Sequence, residues 1–331
     1  MFHAMTTPRP TRPPPGASRA AHADPAGSAN PLELRMTHPP LKTIIDAHLH
    51  VWDPSRGVYP WLGDHLAPVN RAMTLPEVTP ELVDRGVEAV VLVQSADDDF
   101  DTDLMFETAR SDDRVVGVVG WVPMDAPAVA ANRLARLRDD PLFVGVRNLI
   151  HEREDPQWIL RPDVDAGLDL LEQAGVPFDF VAGGPAALAT AAEVVRRHPG
   201  LHLILDHLGA PPLQADHDQA ERWSQDLAVL AGHPRVDVKL SGLYLGPDPA
   251  GDALRRAGGY LRTALELFGT HRLMYGGDWP ICLLHEKYGR TLDILRHGLA
   301  QLDDAGWHDI LAATAMRVYG IDRSRIAVDD R

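Results

Sequence analysis

Eight short runs of valine, isoleucine and leucine alternate with longer segments that have the 3.6-residue spacing of amphipathic helices, and this constrains the fold more than any other feature. The runs predict strands at Thr43–His48, Val87–Gln94, Val115–Trp121, Phe143–Arg147, Pro177–Val181, Leu201–Asp206, Val236–Leu240 and Arg272–Tyr275. Helical patterns include Asp125–Arg138, Pro162–Ala174, Pro185–Arg197, Gln219–Ala231, Asp252–Phe268, Thr291–Leu302 and Asp304–Tyr319. Pro162 and Pro185 suit the first turn of a helix, while Gly175 and Gly269 stand where one should stop. A strand that is apolar along its whole length is buried on both faces, as in a parallel sheet covered by helices. Eight such units predict an α/β fold, a single-domain (β/α)8 TIM barrel over residues 43–322. The competing open, doubly wound sheet normally has a glycine-rich phosphate turn after its first strand, where this chain has two histidines.

The 331 residues suffice for one such barrel, which typically holds about 250. A formal net charge of −15 offers no basic footprint for nucleic acid or an anionic membrane, so neither is an expected partner. Cys282, the single cysteine, can form no internal disulfide and no cysteine-based zinc knuckle, which fits a reducing compartment and a cytoplasmic protein. Residues 1–42 are rich in Pro, Ala, Ser, Arg and His, as in Pro8-Arg9-Pro10 and Pro13-Pro14-Pro15. They lack any apolar run of element length, so a disordered tail is expected there, with a second short tail at 323–331. The long apolar stretch of a secretory signal is missing from it, and the prolines oppose a transit-peptide helix. Met36, just before the first strand, is an alternative start to Met1. No segment reaches the ~18 apolar residues of a membrane span.

Barrel active sites collect at the carboxyl ends of the strands. Seven of the eight runs end in a group that can bind, polarise or move a proton: His48 and His50, then Gln94, Trp121, Arg147, Asp206 with His207, Lys239 with Ser241, and Asp278 with Trp279. One polar residue at a strand end usually caps a helix or meets water, but seven on one rim point to a site. His48 and His50, two apart on an extended chain, face one place and suit a metal ion or a polarised carbonyl. With 16 histidines in the chain, such a pair arises roughly once by chance, so its position carries the weight. Asp278 follows Gly276-Gly277, which should let the backbone turn sharply over the barrel mouth. It is the leading general base, taking a proton from water and returning it to a leaving oxygen. His207 is the best third imidazole. Arg147 should lie in the mouth, where an unpaired guanidinium is costly, and so requires an anion or a carbonyl-rich ligand. His151 is a second-tier substrate contact, and Trp52, Tyr59, Trp61, Trp121 and Trp279 either wall a pocket for a ring-shaped ligand or pack the core. The remaining histidines, His198 among them, read as surface or packing residues.

Several motifs together carry a family resemblance: Ile45-Asp46-Ala47-His48-Leu49-His50-Val51-Trp52-Asp53 with Tyr59-Pro60-Trp61-Leu62, Gly145-Val146-Arg147, Leu160-Arg161-Pro162-Asp163-Val164, Leu205-Asp206-His207-Leu208-Gly209, Lys239-Leu240-Ser241-Gly242-Leu243, and Arg272-Leu273-Met274-Tyr275-Gly276-Gly277-Asp278-Trp279-Pro280. In this order they resemble the amidohydrolase superfamily, in particular its lactonase branch of fuconolactonase-like, rhamnonolactonase-like and pyrone-dicarboxylate-lactonase-like proteins. The resemblance implies a distorted barrel, hydrolysis at a carbonyl centre, and Asp278 as the proton-transfer residue with His48, His50 and His207 lining the site. Arg147, His151, Trp52, Gln94, Trp121, Lys239 and Trp279 are the expected substrate contacts. Metal-dependent members usually supply a lysine or glutamate from strand four and a histidine from strand five. Here strand four offers Arg147 and strand five leaves through Ala182-Gly183-Gly184, so a dinuclear centre is not expected. Some members of the lactonase branch work without a divalent metal and others hold one zinc, and His48, His50, His207 and Asp278 suit either case. The expected activity is opening of a five- or six-membered lactone, a sugar aldonolactone from carbohydrate catabolism. A metal-dependent decarboxylase of an aromatic or unsaturated acid and a catalytically silent ligand-binding barrel are the rival readings, and a homo-oligomer is left open.

Overall fold

A computed structural model describes residues 43–181, 183, 186–214, 217–246 and 251–326. The expected tail at 1–42, the stretch 327–331, and Ala182, Gly184 and Pro185 lie outside the described residues. The apolar runs form eight strands: β1 Ile45–Leu49, β2 Ala89–Val93, β3 Val115–Gly120, β4 Phe143–Arg147, β5 Phe178–Phe180, β6 Leu203–Leu205, β7 Val236–Leu240 and β8 Leu273–Tyr275. All neighbours are parallel and in sequence order. Helices α1 Leu75–Arg85, α2 Asp99–Ser111, α3 Pro127–Leu137, α4 Pro162–Ala174, α5 Ala187–Arg197, α6 His217–Ala231 and α7 Asp252–Phe268 connect successive strands. After β8 come α8 Arg290–Gly298, α9 Asp304–His308 and α10 Thr314–Tyr319. β1 and the segment after β8 meet through His50 N donating to Trp279 O and Asp278 N donating to His48 O, both at 2.8 Å. The barrel is thus drawn together at the very residues that the sequence marks as a site.

Local chemistry sets the element ends. Thr74 and Glu77 form a capping box at the start of α1. Pro162 opens α4, and Gly175 closes it in the left-handed conformation, at φ 66°. The single helix predicted at Asp304–Tyr319 is divided into α9, a π turn at Asp309–Ala313 and α10. The extra residue in that turn lets Ile310, Leu311 and Ala312 all be buried. Ala312, Ala315, Val318, Tyr319, Ile321 and Ile326 pack with Ile45, Ala89, Val91, Val116, Ile204 and Met274 of the strands. The C-terminal segment therefore closes the barrel from its amino end and leaves the carboxyl end for chemistry. Among the described residues no helix is long and apolar enough to cross a membrane.

Candidate active site

Three irregularities of the backbone aim the site. Between Asp46 and Leu49 the β1–β2 register shifts, so that three steps along β1 match two along β2. A bulge of this kind re-aims side chains: Ile45 and Ala47 join the apolar core, while His48 and His50 meet with ring centroids 4.8 Å apart. After β6 the chain makes a tight turn in which His207 and Leu208 both have φ 55°. After β8, Asp278 itself has φ 55°. Left-handed backbone at non-glycine residues is held only where the surroundings impose it, and it gathers at functional sites. The two glycines before Asp278 therefore serve differently from the expectation. Neither has a positive φ; they are needed for space. A Cβ on Gly276 would come within 2.7 Å of His48 Cβ, and one on Gly277 within 2.3 Å of the Tyr288 ring and 2.5 Å of Asp46 Oδ2.

The turn and the bulge bring His48, His50, His207 and Asp278 together. His50 Nδ1 lies 2.6 Å from Val93 O, an acceptor only, so Nδ1 carries a proton, and its Nε2 lies 3.3 Å from Asp278 Oδ1. His48 Nε2 is 3.6 Å from the same oxygen and 3.3 Å from an Arg147 guanidinium nitrogen. His207 Nδ1 pairs with Ser241 Oγ at 2.9 Å and lies 3.7 Å from Asp278 Oδ2. The hydroxyl of Tyr244 donates to that second oxygen. Oδ1, buried, receives no hydrogen bond from any described residue. Burial pushes the Asp278 carboxyl up, but the imidazoles of His207, His50 and His48 outweigh it and hold the group below its ordinary value. Burial, with the Lys239 charge beside it, drives His48 well below the usual imidazole value, so the ring is neutral.

Beneath the imidazoles lies a layer of buried charge. Lys239 Nζ is 3.0 Å from His48 Nδ1, 2.5 Å from Asp179 Oδ2 and 3.2 Å from Asp206 Oδ1. Tyr319 donates to Asp179 from α10. Arg147 Nε stands 3.4 Å from Asp206 Oδ2, so the anion expected for Arg147 is a residue of the protein. Burial acts to raise Asp206, yet Lys239, His48 and Arg147 together hold it well below the usual carboxylate range. Two cations, Lys239 and Arg147, thus face two carboxylates, Asp179 and Asp206, in this layer.

A cavity of about 300 Å³ opens above Asp278, walled by Trp52, Trp61, Arg147, His151, His207 and Tyr244. Trp52 and Trp61 meet edge to face with centroids 5.1 Å apart, and Trp61 is fixed by a 2.7 Å bond to Ser95 O. Four of the expected substrate contacts do not line this cavity. Gln94 is fully buried and donates to Arg147 O at 2.9 Å, Lys239 is fully buried under His48, Trp121 is tied through its backbone to Thr102, and Trp279 is buried with its carbonyl accepting from His50 N. Strand periodicity told which residues leave the strand ends but not how deep each one sits. Asp179, Tyr244 and Tyr319 were missed by the sequence reading; the apolar run around Asp179 in Phe178-Asp179-Phe180 was the available signal for the first.

One ligand atom each from His48, His207 and Asp278 lies within 4.8 Å of the others, which fits a single divalent cation, and His50 is not part of that group. Two ligand atoms about 2.1 Å from a tetrahedral zinc are roughly 3.4 Å apart, and the His50, His48 and His207 nitrogens lie 3.3, 3.6 and 3.7 Å from Asp278 oxygens. The buried Asp278 Oδ1, without a hydrogen bond from any described residue and 3.3 Å from His50 Nε2, is the contact that a cation or an added proton would relieve.

The family model described as amidohydrolase matches residues 45–321. An L-fucono-1,5-lactonase of Burkholderia ambifaria is 34% identical over 249 residues, which are 74% of this chain and 83% of that protein. A Burkholderia multivorans protein of the same name is 31% identical over 287 residues, 84% of this chain and 96% of its own length. Among solved structures, a Burkholderia multivorans amidohydrolase with bound zinc superposes with a TM-score of 0.77 at 30% identity, covering 85% of this chain and 100% of its own. The chain belongs to the amidohydrolase family.

Proposed function

We propose that this protein is a lactonase that opens a five- or six-membered sugar aldonolactone, with Asp278 moving the proton. The observation that carries the reading is the buried carboxylate oxygen of Asp278, ionised and without a donor, between His50 and His48 at the floor of an open cavity. Such an oxygen can accept the proton of a water as that water adds to the lactone carbonyl. Tyr244 holds the other carboxylate oxygen, fixing which one faces the substrate. Arg147, on the cavity wall, and the imidazoles stabilise the oxyanion of the tetrahedral intermediate. As the bond from carbonyl carbon to ring oxygen breaks, Asp278 returns its proton to that oxygen, and the product is the open hydroxy acid. Trp52 and Trp61 offer an apolar face to the C–H side of a sugar ring. A divalent ion held by His48, His207 and Asp278 would supply Lewis acidity for the carbonyl and a more acidic water. The names of the two Burkholderia relatives support a sugar lactone as the substrate class.

Ring opening of a panel of sugar and muconate-type lactones, followed with a pH indicator on metal-stripped protein and on the same protein given zinc, tests the reading. Opening of any aldonolactone supports it, and the zinc dependence separates the ion from Arg147 as the electrophile. Silence across the panel in both states overturns it.

A further inference from the structure

A second group of metal-ligand type lies along α4 where the carboxyl end of α5 meets it, outside the lining of the cavity. Asp165, Asp169 and Glu172 are spaced four and three residues apart on α4 and so share one face of that helix. They surround His198, which directly follows α5. Its side chain is only 2% exposed, whereas those of Asp165, Asp169 and Glu172 are 32%, 54% and 26% exposed.

The partners of the ring fix its protonation. His198 Nε2 bonds to Asp165 Oδ1 at 3.1 Å, and a carboxylate can only accept, so Nε2 carries the proton. The other ring nitrogen is Nδ1. That atom is buried and makes no hydrogen bond, although Asp169 Oδ1 stands 3.1 Å away and Glu172 Oε2 3.6 Å away. A buried ring nitrogen with no hydrogen bond to any described residue, set against two carboxylates, is an orphaned polar atom that a shared cation would satisfy. The separations bracket the roughly 3.4 Å between two ligands of a tetrahedral zinc, and one ligand atom from each residue lies within 4.8 Å of the others. The remaining contacts are those of an orienting shell: Arg197 holds Asp165 at 3.3 Å, and Gly200 N donates to the other oxygen of Glu172 at 2.5 Å. A carboxylate behind the far nitrogen of a ligating histidine is the usual means of fixing its tautomer.

We infer that His198, Asp169 and Glu172 form a zinc site, backed by Asp165, that clamps α4 to the turn after α5. One nitrogen and two carboxylates suit zinc better than calcium or magnesium, which prefer all-oxygen shells. The site lies apart from the barrel mouth and supplies stability, not catalysis.

The test counts zinc per chain by competition with a chromophoric chelator and follows the Tm with and without zinc. It compares wild type with Asp169→Asn/Glu172→Gln, both in the wild-type background and in Asp278→Asn protein, so that binding at the mouth is scored separately. The carboxylate variants alter side chains that are 54% and 26% exposed and leave the buried ring in place, and Glu172→Gln keeps an amide oxygen that can accept from Gly200 N, so they preserve the fold. The site predicts one zinc fewer in the double variant in either background, and loss of the zinc-dependent rise in Tm. Asp165→Asn should weaken zinc binding at this site by about 10–100-fold. Equal zinc stoichiometry and affinity with and without Asp169 and Glu172 would overturn the assignment, as would the absence of bound zinc in Asp278→Asn protein.

Discussion

Replacing Lys239 by methionine keeps the apolar stem and deletes a charge that has no access to water. At the 3.2 Å separation of Lys239 and Asp206, a pair at an effective dielectric of ~20 interacts by roughly 5 kcal/mol before desolvation is counted. Asp206 keeps Arg147 at 3.4 Å, whereas among the described residues Asp179 is left with the neutral hydroxyl of Tyr319 as its side-chain partner. The loss therefore falls on a single uncompensated carboxylate, and the expected destabilisation is about 3–5 kcal/mol. Burial already raises Asp179 from 3.8 to about 6 against the opposing pull of Lys239, so without the lysine it rises further. A carboxyl raised in the folded state contributes stability that is full below its unfolded value of 3.8 and is lost as pH rises through the folded value. The deficit of Lys239→Met should accordingly be smaller at pH 5.5 than at pH 8. Adding Asp179→Asn to Lys239→Met removes the orphaned charge and should recover part of the loss. Urea unfolding followed by tryptophan fluorescence at both pH values, on all three proteins, measures this. A loss below ~1 kcal/mol at both pH values, or no recovery in the double variant, would refute the reasoning.

Tyr244→Phe removes the donor to Asp278 Oδ2, and since a hydrogen bond to a charged group contributes about 1.5–3 kcal/mol, kcat/KM for lactone opening should fall roughly 10- to 100-fold. Asp101 accepts from Ser95 N and Oγ and from Tyr59, and burial raises it to about 6. Its stabilising contribution is thus lost as pH rises from 3.8 through about 6. Between pH 5 and pH 8 wild type should lose about 1.4 kcal/mol relative to Asp101→Asn, read from urea midpoints at the two pH values. Gly277→Ala places a Cβ 2.3 Å from the Tyr288 ring and 2.5 Å from Asp46 Oδ2. Overpacking of this kind costs about 1–3 kcal/mol, so a thermal melt should show a lower Tm, together with reduced activity as Asp278 shifts.

The sequence was most legible where one physical signal acts alone. Apolar runs marked all eight strands, and β4, β7, α4 and α7 begin and end at the expected residues. Pro162 and Gly175 account for the limits of α4. The polar strand ends located His48, His50, His207 and Asp278 on one rim. Depth was not legible: Gln94 and Lys239 leave their strands next to the site yet lie beneath its surface. The β1 bulge depends on pairing with β2 and leaves no trace in local spacing. Tyr244 reaches Asp278 from a loop without periodicity, and Tyr319 reaches Asp179 from a helix 140 residues later in the chain. His198 read as a surface or packing residue because its three carboxylates lie on another helix, some 26 to 33 residues earlier in the chain.

The most direct test of Asp278 as the proton carrier is the kcat of Asp278→Asn on whichever aldonolactone wild type opens, at matched folding and zinc content. Loss of general acid–base transfer predicts a fall of about 10²–10⁴-fold in kcat with KM little changed. Wild-type turnover in the Asp278→Asn protein would contradict it.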